Sequence, residues 1–139
     1  MSRIYFTDRD LGKQFPAILT AAGLGVEQHI DLFSPQGSNE EWLEHCGRKG
    51  RVAITHDARI RYKANELKAV IDHRVALLVV VGKAPFRVLA QNFVATLQKI
   101  EVFLVDHEPP FIAKVYRPSA ADIARDANAP GRIELWYPK

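Results

Sequence analysis

Two short segments of this chain end in the same way. Ile4-Tyr5-Phe6-Thr7 runs into Asp8, and Arg51-Val52-Ala53-Ile54-Thr55, after His56, runs into Asp57. Each is a short β-favouring run followed by a carboxylate, a pattern that delivers acids to the carboxyl edge of a sheet, where open α/β sheets bind ligands. Glu40 and Glu41 open a helix between them, so a short helix-loop-strand connection could bring that acidic turn to the same edge. Both glutamates also have a purely structural use, because negative charge in a first helical turn suits the helix dipole. Carboxylates gathered in one cleft repel one another unless a cation offsets them. Oxygen-rich, water-keeping sites of this kind suit Mg²⁺ or Mn²⁺, which orient and acidify a water for attack on a phosphodiester.

Cations follow the second acid. In Asp57-Ala58-Arg59-Ile60-Arg61-Tyr62-Lys63 the basic residues alternate with others, and Lys49 lies just before the strand. Such a rim would hold a polyanion by its phosphates without reading its sequence; the same alternation also describes a solvated face. Other chemistries lack their residues. The chain has no GxGxxG after a strand, no GxxxxGK[ST], no GxSxG and no HExxH. A dinucleotide enzyme, a P-loop NTPase, an α/β-hydrolase and a zincin are therefore unsupported.

The elements that must position these residues can be read from period changes. Leu11, Phe15, Ile18, Leu19 and Ala22 recur at helical spacing, with regular helix expected from about Lys13 so that Pro16 falls in the first turn. Val26–Asp31 reads as a second strand, in which His29 and Asp31 are solvated polar positions. Ser38 or Asn39 can cap a helix carrying Trp42, Leu43 and Cys46 inward and ending at Gly47. Ala64–Asp72 fits a short helix with Leu67, Val70 and Ile71 inward and Glu66 on its polar side. Val75–Val81, the most hydrophobic run, is continuous rather than alternating, the mark of a strand covered on both faces. One long helix is expected from Phe86 through Ile100 and on to Leu104, then strands over Phe111–Arg117 and Arg132–Tyr137. This order predicts an α/β sandwich with a mainly parallel central sheet flanked by helices.

Composition bounds the reading. With 139 residues and 47% hydrophobic content, one domain spanning 1–139 is expected. The net charge of +3 permits nucleic-acid contact without requiring it. A single cysteine, Cys46, excludes an internal disulfide. The first ten residues carry charge, no run of about 18 apolar residues occurs, and a cytoplasmic protein without membrane contact is expected.

The stretches YFTDRDLG (5–12), NEEWLEHCGRKGRVAITHDARIR (39–61) and KANELKAV (63–70) together resemble the PIN-like nucleases, in particular their compact branch of VapC-type toxin domains. The resemblance covers about the first half of the chain, in the correct order. It implies a PIN-like three-layer sandwich and a Mg²⁺- or Mn²⁺-dependent ribonuclease, the toxin of a type II toxin–antitoxin pair. The implied partners are RNA, a cognate antitoxin and, as an option, a second copy in a homodimer. By position Asp8 matches the first family acid and Asp57 the acid after the third strand. The family pattern D-x-x-[WIL]-L places its middle acid at position 39, where this chain has Asn39. Glu40 could take that place, Glu41 less readily, and Asn39 could offer only a neutral oxygen. A further family acid, two residues beyond Asp57, is here Arg59, and Asp10 could supply the extra charge. The resemblance thus points to Asp8, Glu40 and Asp57 as catalytic and metal-holding, with Glu40 nearer the cation than Asn39 or Glu41. Arg59, Arg61, Lys63 and Lys49 are expected to position RNA. A catalytically weakened PIN-like binding module and a small metabolite-binding α/β domain remain as alternatives.

Overall fold

The computed structural model describes residues 3–138; residues 1, 2 and 139 lie outside, and with them the outer limits of the expected 1–139 domain. Six strands form one sheet in the order β2-β1-β3-β4-β5-β6. They are β1 (Ile4–Thr7), β2 (Gly25–Gln28), β3 (Val52–Thr55), β4 (Ala76–Val80), β5 (Phe111–Tyr116) and β6 (Arg132–Tyr137). All neighbours run parallel except β5 and β6. Alternation along each strand builds a core on each face, giving a three-layer α/β sandwich. Tyr5, Ile54, Leu78 and Ala113 turn to one face. Phe6, Ala53, Leu77, Val79 and Ile112 turn to the other. The continuous apolar run of β4 is explained by its position between β3 and β5, with Leu77 through Val80 all buried.

The first face is covered by α1 (Gln14–Ala21), α5 (Phe86–Ala95) and α6 (Leu97–Asp106). The second is covered by α3 (Asn39–Lys49) and α4 (Ala64–Asp72), with Trp42 stacked on Phe6 at 5.5 Å between ring centres. Truncating Phe6 to alanine would cost about 3–5 kcal/mol, the usual range for a buried aromatic.

Four expectations are corrected. Strand β2 stops at Gln28, and His29 opens α2 (His29–Leu32), a single turn; His29 is 2% exposed, its ring packed against Phe6 and Phe33. Helix α3 continues through Gly47 to Lys49 and is closed by Gly50 in the left-handed region. Gly47 serves close approach instead, since a Cβ there would lie 2.0 Å from the His73 carbonyl oxygen. The long helix breaks at Thr96, with α5 and α6 bent by 63°. The Thr96 hydroxyl donates to Asn92 O and accepts from Gly131 N–H, tying the break to the β6 approach. In α4, Val70 and Leu67 face the core as expected, but Ile71 is 38% exposed and Glu66 is buried, both opposite to their expected facing. Helix α7 (Ala120–Arg125) occupies part of the loop before β6. Among the described residues no single helix is long and apolar enough to cross a membrane.

Candidate active site

Parallel β1 and β3 release their chains at the same edge of the sheet. The Asp8 N–H extends the ladder by donating to Ile54 O at 2.9 Å, which pins the first acid beside the end of β3. The chain then makes a 3-10 turn, Arg9–Leu11, anchored by fully buried Leu11 and closed by Gly12 at φ 69°. That turn folds Asp10 back over the end of β3, where its carboxylate accepts from the His56 N–H at 3.2 Å.

Thr55 stands at the centre. Its Oγ1 lies 2.8 Å from Asp8 Oδ2 and 3.2 Å from Asp10 Oδ2, and it accepts from the Asp57 N–H at 3.2 Å. A hydroxyl has one hydrogen, so buried Asp8 and half-buried Asp10 compete for it. Burial pushes the Asp8 carboxyl above its ordinary range. Asp10 is pushed up to about 6, by burial first and then by the charge of Asp8.

Asp57 is in a different state. Its Oδ1 accepts from the Arg59 N–H at 3.0 Å, capping the 3-10 turn Ala58–Arg61. The Arg59 guanidinium grips both carboxylate oxygens, Nε to Oδ1 at 2.9 Å and Nη2 to Oδ2 at 3.2 Å. Chiefly through this grip the Asp57 carboxyl is held below its usual range.

Asn39 completes the wall. Its Oδ1 accepts from Trp42 Nε1 at 2.9 Å and its Nδ2 donates to Glu66 Oε1 at 3.2 Å. Indole only donates and carboxylate only accepts, so the amide orientation follows from chemistry. Glu66 is 7% exposed and also pairs with Lys63 at 3.7 Å. Asp8, Arg9, Asp10, Asn39, His56, Asp57, Arg59 and Lys63 together line an open cleft of about 410 Å³.

Four expected residues lie elsewhere. Glu40 is one helical step, about 100°, from Asn39, so with Asn39 facing the cleft it faces away; its Oε1 accepts from Asn65 at 2.8 Å. Glu41 closes a capping box with Ser38. Lys49 ends α3 beside the amino end of β3, at the opposite edge of the sheet from Asp57. Arg61 turns away to the rings of Tyr62, Trp136 and Tyr137. The expectation that Glu40 lies nearer the site than Asn39 is thus reversed.

Residues 4–82, more than half of the chain, match the PIN like domain. The chain belongs to the PIN-like family. Comparison with curated proteins and with solved structures gave no match. The PIN-like segment runs from β1 through β4 and so contains every residue that lines the cleft. A PIN-like domain is a nuclease-type fold, and such domains generally work with divalent cations.

The cleft can be tested against such a cation. Among the described residues no three His, Cys, Asp or Glu side chains are grouped to hold a metal ion. A protein-only cage is therefore not what this PIN-like cleft offers. Mg²⁺ needs less, since it keeps several waters and is commonly bound by one or two carboxylates together with substrate phosphates. Asp8 and Asp10, carrying more negative charge than their donors offset, fit that demand. Asp57, already matched by Arg59, fits it less well.

Several participants carried no distinct sequence signal. Thr55 was visible only as the first letter of T-x-D, and Glu66 as one acid in a helix of mixed polarity. His56 approaches Val80 O through Nδ1 at 2.8 Å, which in neutral imidazole places the proton on Nδ1 and leaves Nε2 to accept.

Proposed function

We propose that this PIN-like domain is a divalent-cation-dependent ribonuclease in which Asp8 and Asp10 hold a Mg²⁺ or Mn²⁺ ion. The observation that carries this reading is the single Thr55 hydroxyl shared by buried Asp8 and half-buried Asp10, a site with charge to spare for a cation. When bound, the cation would supply an acidified water and offset charge on the phosphodiester. The remaining tasks belong to the chain. Arg59 and Lys63 line the cleft and can hold phosphates by charge, which positions a strand without reading its sequence. Asp57 orients the Arg59 guanidinium, and Trp42 with Glu66 orients the Asn39 amide. His56 Nε2 offers an acceptor on the cleft wall.

The resemblance to VapC-type domains extends the proposal: the ribonuclease is the toxin of a toxin–antitoxin pair. A neighbouring reading frame for a small DNA-binding protein, and growth arrest on induction relieved by that protein, would support this part. Growth arrest that persists with Asp8→Asn would count against it.

Two features favour a second reading, a binding module with weakened catalysis: position 39 is neutral, and Asp57 is occupied by Arg59. Incubating unstructured RNA and DNA with the protein in Mg²⁺, in Mn²⁺ and in chelator separates the readings. Metal-dependent RNA cleavage lost in Asp8→Asn supports the ribonuclease, and RNA retention without cleavage in either metal supports the module.

A further inference from the structure

Beyond the cleft, the strongest unassigned feature is a cluster of rings and cations beside it. Arg61 lies 4.8 Å from the Tyr137 ring centre, 5.7 Å from Tyr62 and 6.0 Å from Trp136. Lys114 Nζ lies 4.0 Å from the centre of Trp136, and Tyr62 meets Trp136 edge to face at 5.7 Å. Three aromatic rings and two cations thus form one patch, built from the turn after Asp57 and from strands β5 and β6. Lys114, Trp136 and Tyr137 lie outside the residues matched to the family.

Cation–π packing alone would account for half-buried rings. It does not account for Tyr62, which is 75% exposed while its partners are partly covered. A single exposed tyrosine means little. What separates this one is its place on the turn between two cleft residues. Arg59 and Lys63 line the cleft, Arg61 and Tyr62 sit between them in sequence, and fully buried Ile60 fastens the turn to the core. A strand held by its phosphates at Arg59 would meet an exposed ring within a few residues' reach.

We infer that the Tyr62–Trp136 patch is a stacking platform for the unpaired bases of single-stranded RNA leading into or out of the cleft. The inference deepens the ribonuclease reading and rests on it for the choice of ligand. Rings supply faces on which any base can stack, and Arg61 with Lys114 supplies charge for the backbone between them; aromatic and basic surfaces of this composition bind single strands with little sequence preference. Paired bases, stacked inside a duplex, cannot use the rings, so the platform selects single strands over duplex.

The test uses chelator, so that binding is measured without cleavage. Of the two tryptophans, Trp42 is fully buried, so a change in emission on titrating dodecauridylate reports Trp136. Binding should quench this emission; Tyr62→Ala should weaken affinity roughly tenfold, as expected for one lost stacking ring, while Tyr62→Phe retains it. Because Tyr62 is mostly exposed, its replacement should leave the melting temperature unchanged. Val105→Ala, on the exposed face of α6, should bind as the unaltered protein does. Inorganic polyphosphate supplies charge without bases and should quench Trp136 emission far less than the oligonucleotide does. Unchanged affinity in Tyr62→Ala, or equal quenching by polyphosphate or polyglutamate, would overturn the platform and leave a charged or protein-directed patch. Cleavage by the unaltered protein in Mg²⁺ or Mn²⁺ is scored separately: failure there with intact quenching sinks the ribonuclease and keeps the platform, and the converse result does the opposite.

Discussion

Asp8 and Asp10 accept from one hydroxyl, Thr55 Oγ1 lying 2.8 Å from the first carboxylate and 3.2 Å from the second. That hydroxyl has one hydrogen for two acids, only Asp10 also accepts from the His56 N–H, and both acids are pushed toward their protonated forms. This excess of acceptors over donors makes the end of β1 and β3 the place where added positive charge, whether proton or divalent cation, is best accommodated.

Stability should therefore depend on pH in an unusual direction. Asp10 sits at about 6 in the folded protein against an ordinary 3.8. Below both values the folded and unfolded chains carry the proton alike. Between them the unfolded chain releases it and the folded chain keeps it, so stability of the cation-free protein falls as pH rises from about 4 to about 6, by roughly 2–3 kcal/mol in all. Asp57, shifted the other way by Arg59, adds stability that is lost only as the pH drops below the ordinary carboxylate range. Thermal melts in chelator across this range should show the decline, and Asp10→Asn should flatten it.

Asp8→Asn and Asp10→Asn remove one of the competing charges. Each is expected to raise the melting temperature in chelator by a few degrees, about 3 °C per kcal/mol for a domain of this size. Each should also abolish any upward shift produced by Mn²⁺. A variant that keeps the full Mn²⁺ shift would show that its carboxylate holds no cation.

Thr55→Val keeps the shape of the side chain and deletes the shared hydroxyl. The half-buried Asp57 N–H contact and the donor to Asp8 are lost together, at an expected cost of about 1–3 kcal/mol in chelator. Denaturant titration measures it, and RNA cleavage should fall in the same variant because both acids lose their common tether.

Asn39→Asp restores an acid where the family pattern has one. It keeps the acceptor for Trp42 but places a carboxylate against Glu66, 3.2 Å from the present amide nitrogen. The variant should be less stable than the unaltered protein in chelator and gain more from Mn²⁺. Equal gains in both proteins would mean that position 39 does not reach the cation.

Arg59→Ala should lower the salt dependence of RNA binding by about one unit of slope, the expected loss for one phosphate contact. It also frees the Asp57 carboxylate, whose pKa should return upward toward its ordinary value. A filter-binding salt titration checks the first effect, and carboxyl chemical shifts followed against pH check the second.

The sequence by itself determined the layers and the edge. Short β-favouring runs, the unbroken apolar run of β4 and the helical spacings between them are local signals, and they suffice for a mainly parallel sheet covered on both faces. Parallel strands ending in acids must release them on one edge, so Asp8 and Asp57 could be placed together without coordinates. Helix phase is less legible: the choice between Asn39 and Glu40 turns on where α3 begins, and one residue rotates the side chain by about 100°. Pairings across the chain were decided only by tertiary structure. Asp10 faces inward because buried Leu11 and Gly12 fold its turn back toward Thr55. Glu66 is buried because Asn39, twenty-seven residues earlier, donates to it. Arg61 leaves the cleft because rings from β6 lie within reach on the other side of its turn. Each of these outcomes depends on which distant group fills the space beside a side chain, and packing sets that only when the whole sheet has closed.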